Sequence, residues 1–188
     1  MLNVFRRNPR ATTIEALYGA IVAQARSPVF YLDYGVPDTV NGRLDLLMIH
    51  LALVFERLSQ GDEEAKAVGQ EVFDRFCRDM DDHLREEGIS DMKVPKQVRG
   101  VAAAFFGRHG AYISALRAND AAALKTAIGR NVFAGAESPS VDRLAAYTRA
   151  AMATLDSQDA TLMASGKVTW PDPKLTTCAD RPNELGHD

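Results

Sequence analysis

The sequence predicts an all-α fold, a single-domain helical bundle with a flexible C-terminal tail. Apolar residues recur at helical spacing through most of the chain, and capping residues, glycines and prolines separate these stretches. No alternating run of polar and apolar residues is long enough to predict a pair of strands. A chain of 188 residues fits one domain that buries a core without metals or disulfides. The predicted divisions are a basic N-terminal segment (1–11), a helical domain (12–166) and a proline-containing, extended or disordered tail (167–188).

The first helix is predicted to begin at Thr12 or Thr13 and to end near Arg26, before Ser27 and Pro28. Side chains at helical spacing give it one apolar face, formed by Ile14, Leu17, Tyr18, Ile21 and Val22. The connector that follows is unusually rich in aromatic residues. Such a connector either packs on the bundle or contacts a partner.

Five further helices are predicted from their start and stop signals, over about 38–58, 62–88, 95–118, 120–130 and 138–155. Asp38 follows a proline and is the predicted N-cap of the second helix. Asp62 opens the third helix, with further acidic residues in its first turn, and Gly88 ends it. Pro95 and Pro139 suit the first turns of later helices.

Charge and composition exclude several classes of protein. The formal net charge of −3 gives no general attraction to nucleic acid, and aromatic residues do not interleave with a basic stripe. The two cysteines, Cys77 and Cys178, predict a reducing compartment and no disulfide framework. No apolar stretch is long enough for a transmembrane helix, and no secretion signal is recognisable. The arginines near Leu2, Val4 and Phe5 could contact an anionic membrane surface, although a frayed basic end is the simpler interpretation.

One polar cluster raises the alternative of a carboxylate–histidine metalloenzyme. Asp79, His83 and Glu87 follow one another at a spacing of one helical turn, which could bring their side chains to a divalent metal. The chain lacks the two Glu-x-x-His pairs that carboxylate metal sites in helical bundles use. An ion-paired, solvated helix face is therefore the simpler interpretation.

Two histidines raise the alternative of a haem-handling helical protein. They are His50, which lies in an apolar helix, and His109. A lone histidine in such a helix is more often a core residue with a hydrogen-bond partner than a ligand. Phosphate loops, Gly-x-Ser-x-Gly elbows and Cys-x-x-Cys pairs are all missing from the sequence. We therefore predict no catalytic residue, no metal, no cofactor and a protein that is not an enzyme.

Two stretches of the sequence resemble a known family. The first is Tyr-Gly-Val-Pro-Asp-Thr-Val-Asn-Gly-Arg-Leu-Asp at 34–45, with its apolar continuation to residue 51. The second includes Asp-Met-Asp at 79–81, Leu-Arg-Glu-Glu-Gly-Ile-Ser-Asp at 84–91, Val-Pro-Lys at 94–96 and Phe-Phe-Gly-Arg at 105–108. Together they resemble the ubiquinol–cytochrome c chaperone family in its short alphaproteobacterial form, over roughly Ala16 to Asn131. The polar positions in these stretches are Asp38, Arg43, Asp81, Arg85, Asp91, Lys96 and Arg108.

The resemblance implies an assembly chaperone for ubiquinol–cytochrome c reductase, which is respiratory complex III. It implies that the client is newly made cytochrome b or an early assembly intermediate, and that a small partner protein takes part in some relatives. It also implies a location in the bacterial cytoplasm, at the inner face of the cytoplasmic membrane, where peripheral membrane contact is possible.

A chaperone of this kind needs an apolar surface for its client, and aromatic residues are the first candidates for that surface. We predict that the client-binding surface includes Phe30, Tyr31, Tyr34, Phe105, Phe106 and Tyr112. The competing interpretation is that these side chains fill the core. The matched polar residues either contribute to binding or cap helices and brace loops.

Overall fold

The computed structural model describes residues 9–135 and 138–178. These residues form helices α1 (Pro9–Ala25), α2 (Pro28–Leu32), α3 (Val40–Ser59), α4 (Glu63–Glu86), α5 (Val94–Arg117), α6 (Ala121–Val132), α7 (Pro139–Asp156), α8 (Ala160–Ala164) and α9 (Pro173–Cys178). No strand occurs in either described range. The prediction of an all-α helical bundle is therefore confirmed.

Helix α3 is the centre of the bundle. It packs against α1, α4, α5, α6, α7 and α8. Every residue from Met48 to Val54 is buried, so this part of α3 has no solvent-facing side. A helix with apolar side chains on all sides is stable only when other elements surround it, and this explains why the stretch is apolar except for His50. Within the described ranges, no helix is long and apolar enough to cross a membrane.

Side-chain caps are present at two of the predicted helix starts, and the predicted cap at Asp38 is wrong. The side chains of Asp62 and Asp120 accept hydrogen bonds from backbone N–H groups in the first turns of α4 and α6, at 2.8 and 2.9 Å. Asp38 is not the cap of α3, because that helix begins at Val40 and Thr39 precedes it. The Thr39 hydroxyl accepts the bond from the Gly42 N–H at 3.1 Å.

The turn before α3 explains why a glycine stands in the first turn of that helix. A Cβ atom on Gly42 would lie 2.0 Å from the carbonyl oxygen of Pro37, which is far inside contact distance. Residue 42 must therefore be glycine if the chain is to enter α3 in this way. The carboxylate of Asp38, displaced from the capping role, instead accepts a hydrogen bond from Arg43 Nε at 2.7 Å.

Three short helices were not predicted. Helix α2 lies in the stretch predicted as an aromatic connector, α8 follows α7 directly, and α9 lies in the predicted tail. Helix α1 also begins earlier than predicted, at Pro9, and the Thr13 hydroxyl donates to the carbonyl oxygen of Pro9 at 3.1 Å. Helix α4 ends as predicted before Gly88, which has the left-handed φ of +80° that suits glycine.

The first part of the predicted tail lies against the bundle. Val168 and Trp170 pack on the core. The side-chain amide of Gln158 donates to the carbonyl oxygen of Thr169 and accepts from its N–H, both at 2.8 Å. The Tyr34 hydroxyl donates to the carbonyl oxygen of Pro173 at 2.7 Å. The rest of the predicted tail, beyond 178, and the first eight residues, with their basic and apolar side chains, lie outside the described residues.

Candidate client-binding groove

A groove of about 520 Å³ lies between α1, α3 and α4. It is found where the C-terminal ends of α1 and α4 flank the N-terminal half of α3. Its apolar lining consists of Val22, Ala25, Val40, Leu44, Leu47 and Met80. Several of these side chains are only half-buried, because no other described element covers them. We call this cavity the α1–α3–α4 groove.

Two exposed aliphatic side chains extend this apolar surface. Val40, at the start of α3, is 64% exposed and lines the groove itself. Leu32, at the end of α2, is 81% exposed and lines an adjoining cavity of about 200 Å³ together with Tyr31. The two cavities share Arg26 and Arg43, so they form one continuous surface. Exposed aliphatic residues beside a half-buried apolar cavity are typical of a protein-binding site.

Charged residues border the groove unequally. On the α4 side, Asp79 is already engaged, because it accepts hydrogen bonds from the Tyr18 hydroxyl at 2.8 Å and from Arg75 at 3.3 Å. Asp82 and Glu86 also line the groove on α4, with His83 between them in the sequence. Both carboxylates are exposed, and neither forms a hydrogen bond or an ion pair with the described part of the chain.

The opposite side of the groove carries arginines. Arg43 is paired with Asp38 at 2.7 Å, and its guanidinium carbon lies 5.8 Å from the centre of the Tyr31 ring. Arg26 lines both cavities, and its guanidinium has no ion pair with any described residue. The groove therefore has an apolar floor, an acidic side on α4 and an arginine side near α2.

The polar positions singled out by the family resemblance mostly pair with one another or with a neighbouring carboxylate. Arg85 binds Asp81 at 2.6 Å and also Asp91, which ties α4 to the loop before α5. Arg108 donates to a carboxylate oxygen of Asp45 at 2.8 Å and so joins α5 to α3. Each contact braces a loop or a pair of helices. The remaining position, Lys96, is exposed on α5 and forms no ion pair within the described ranges.

The structure places most of the predicted aromatic residues in the core. Phe30, Tyr34, Phe105 and Tyr112 are fully buried, as in the competing interpretation that they fill the core. Their rings pack against other core rings, for example at 5.2 Å between the centres of Phe30 and Tyr34. The sequence could not separate them from surface residues, because an aromatic-rich connector has the same composition whether it packs inward or outward.

The other two predicted aromatic residues do have surface. Tyr31 is half-buried beside the groove. Phe106 is 48% exposed on α5, where it contacts Phe55 and Phe73, and it does not line the groove. The groove residues that sequence reasoning missed are the half-buried aliphatic side chains of α1, α3 and α4. One feature of the sequence could have indicated these residues. Apolar side chains occur on more of the surface of α3 than a single buried face requires.

His50 lacks a free nitrogen for a haem iron. Its Nδ1 donates to the carbonyl oxygen of Leu46 at 2.8 Å, and its Nε2 accepts from the Tyr147 hydroxyl at 2.9 Å. Complete burial lowers the pKa of His50 to about 4, so the ring is neutral at neutral pH. His109 lies 3.6 Å from Glu56, and burial lowers its pKa as well.

The residues of the alternative metal site make ordinary helix-surface contacts in this structure. His83 Nε2 lies 3.7 Å from a carboxylate oxygen of Glu87, and Asp79 is held by Tyr18 and Arg75. Among the described residues, no group of three or more metal-binding side chains is close enough to hold an ion.

Comparisons with known proteins agree with the resemblance seen in the sequence. A family model described as ubiquinol-cytochrome C chaperone matches residues 32–170. The crystal structure of the Cbp3 homolog from Brucella abortus is similar, with a TM-score of 0.82 and 36% sequence identity, and the match covers 88% of this chain and 92% of that one. A search of curated proteins gave no match. The family match extends further toward the C-terminus than the sequence resemblance, and it contains the α3 and α4 sides of the groove.

Proposed function

The chain belongs to the ubiquinol–cytochrome c chaperone family and is an assembly chaperone for complex III, and from this premise we propose that it holds newly made cytochrome b, or an early assembly intermediate, in the α1–α3–α4 groove. The observation that carries the proposal is the exposed aliphatic surface formed by Leu32, Val40 and the half-buried groove lining. An apolar helix of a membrane protein has the surface that such a groove accepts.

The size of the groove predicts a transient complex. The groove offers a client a small apolar surface, and association costs about 4–15 kcal/mol in lost translational and rotational freedom, so we expect the net affinity to be modest. Modest affinity suits a chaperone, because the client must leave when the next subunit arrives.

The proposal includes no chemical reaction. Neither alternative function gains support from the geometry, since the His50 nitrogens are occupied and the Asp79 carboxylate is engaged by Tyr18 and Arg75. Cys77 offers no activated nucleophile, because burial raises the pKa of its thiol. We place the protein in the bacterial cytoplasm, at the inner face of the membrane, since a client of that membrane is accessible there as it is made.

The experiment that tests the proposal places a photo-crosslinking amino acid at Val40 in the native cells. The control places the same amino acid at Ala122, which is exposed in the first turn of α6, away from the groove. We expect a crosslink to cytochrome b from position 40 and none from position 122. Equal crosslinking from both positions, or none from position 40, would refute the placement of the client.

A second experiment measures assembly in the cell. Val40→Asp puts a charge into the groove, and it leaves the helix intact because an acidic residue is favourable in a first turn. Ala122→Asp introduces the same charge in the first turn of α6 and is the matched control. We expect Val40→Asp to lower assembled complex III with cytochrome b transcription unchanged, and Ala122→Asp to have no effect.

A further inference from the structure

We propose that the α4 side of the groove recognises lysine or arginine residues that flank the client's apolar segment, and that this contact sets the direction in which the client lies. The inference rests on the proposed function, since it concerns the same groove. The occupant is thus one kind of segment, the positively charged cytoplasmic end of a membrane-spanning helix.

Two acidic residues of α4 line the groove without an ion pair to the described part of the chain. Asp82 and Glu86 are four residues apart, so they lie on one face of α4, and both line the groove. Neither side chain forms a hydrogen bond or an ion pair within the described ranges, and Asp82 is attracted electrostatically by Arg85. By contrast, Asp79 and Asp81 on the same helix are satisfied by arginines. Two unpaired carboxylates beside an apolar floor are complementary to cations carried on an apolar segment.

The arginines of the groove form no ion pair with these acids. Arg43 is held by Asp38 and lies over the Tyr31 ring, on the side of the groove near α2. Arg26 also lines the groove and has no ion pair with a described residue. The groove thus offers carboxylates on α4 and arginines near α2. A client end that carries lysines is attracted to the α4 side and repelled by the arginine side, and this places that end beside α4.

The chemistry of membrane proteins supplies such segments. Lysine and arginine are concentrated in the short cytoplasmic loops next to the ends of membrane-spanning helices. An apolar segment with cations at its cytoplasmic end therefore matches both the apolar floor and the α4 acids. Exposed charge pairs add little affinity, but they select orientation and raise the rate of encounter.

The test uses two fluorescent peptides that share one apolar helical segment. One has three lysines after the segment, and the other has three glutamates. Binding to the full chain is measured by anisotropy in dilute buffer. We expect roughly tenfold tighter binding of the lysine peptide, which corresponds to a few weak charge pairs acting together. We expect the difference to shrink at about 0.5 M salt, because salt screens exposed charges.

Charge reversal on α4 is the decisive variant. Asp82→Lys combined with Glu86→Lys should reverse the preference, so that the glutamate peptide binds more tightly. Asp74→Lys is a single charge-reversal control, because Asp74 is an exposed residue of the same helix that does not line the groove. It should leave the preference unchanged. Both residues of the double variant are exposed, so the fold is expected to survive.

The outcomes separate this inference from the proposed function. Equal binding of both peptides, abolished by Val40→Asp, would overturn the charge recognition and leave the groove as the client site. If both peptides bind and Val40→Asp does not weaken their binding, the charge recognition and the placement of the client in the groove are both overturned. A preference for lysine that persists in the double variant would also overturn the inference, because the acids of α4 would not be its cause.

Discussion

The Tyr147 hydroxyl donates a hydrogen bond to Nε2 of His50 across 2.9 Å, and this contact joins α7 to the buried centre of α3. Gln24 donates to the same hydroxyl at 2.9 Å, and Nδ1 of His50 donates to the carbonyl oxygen of Leu46. This chain of bonds connects α1, α7 and α3. It is complete only while His50 is neutral, because a protonated ring has no nitrogen that can accept from Tyr147.

The first prediction concerns pH. The folded protein holds the pKa of His50 at about 4, below its ordinary value near 6.5, because the ring is desolvated. The unfolded chain therefore binds more protons between these values. The contribution of neutral His50 to the free energy of unfolding is fully present above about pH 6.5. It is lost as the pH falls, and the loss reaches roughly 3 kcal/mol near pH 4.

Urea unfolding at pH 7 and at pH 4.5 measures this loss. Carboxylates titrate in the same range, so the comparison is with a His50→Gln variant, which cannot gain the proton. We expect that variant to be less stable at pH 7 and to lose less stability on acidification. An unchanged pH dependence would show that His50 is not the group responsible.

The second prediction concerns the tyrosine. Tyr147→Phe leaves Nε2 of His50 without a donor and should lower the free energy of unfolding by about 1–3 kcal/mol, the cost of an unsatisfied buried group. Tyr31→Phe is the matched control, because the Tyr31 hydroxyl donates to the carbonyl oxygen of Ala25 at 2.9 Å in a half-buried position where water replaces it. If the two variants lose the same free energy of unfolding, burial of the Tyr147 hydrogen bond does not account for its cost.

The third prediction concerns the pair between α3 and α5. Burial raises the pKa of Asp45, and Arg108 opposes that effect. Arg108→Met leaves a nearly buried carboxylate without its cation, and we expect a loss of about 3 kcal/mol at pH 7. The loss should diminish as the pH falls, because protonation of the Asp45 carboxylate removes its charge. Arg43→Met, which breaks the exposed pair with Asp38, should cost less than about 1 kcal/mol. Urea unfolding of both variants gives the comparison.

The fourth prediction concerns the glycines of α5. An added Cβ on Gly100, Gly107 or Gly110 meets no atom within 4 Å. Replacement of each by alanine should therefore raise the free energy of unfolding by about 0.5–1 kcal/mol, since glycine costs conformational entropy inside a helix. Gly42→Ala is the contrasting control, because its Cβ would clash with Pro37 and destabilise the protein. Thermal unfolding distinguishes a gain from a loss.

Much of the fold follows from local sequence signals, and these signals predicted the long helices well. The acids at 62 and 120 cap their helices, and Gly88 ends α4. The short helices α2, α8 and α9 escaped prediction because five or six residues are too few for an apolar period to repeat. The predicted cap of α3, Asp38, lies one residue before the observed cap, Thr39. Asp and Thr are both good caps, and only the turn at Gly42 determines which of them caps the helix.

The candidate site depends on distant parts of the chain and was harder to predict. The groove is formed by residues from α1, α3 and α4 that are up to 64 positions apart, from Val22 to Glu86. No local pattern shows which half-buried aliphatic side chains will remain uncovered. The sequence did place Tyr31 in the client-binding set, and that residue borders the groove. The buried aromatic residues of the same set pack in the core. Composition alone cannot distinguish aromatic residues that pack in a core from those that form a binding surface.

Trp170 is the single tryptophan of the chain, and its ring centre lies 5.0 Å from that of His50, above the network that links α1, α3 and α7. The molecule thus carries one tryptophan fluorophore, placed where the C-terminal segment meets the core. Its emission spectrum reports local detachment of that segment without any added label. In a titration with a tryptophan-free client peptide, the emission of Trp170 would show whether binding in the α1–α3–α4 groove changes the environment of the C-terminal segment.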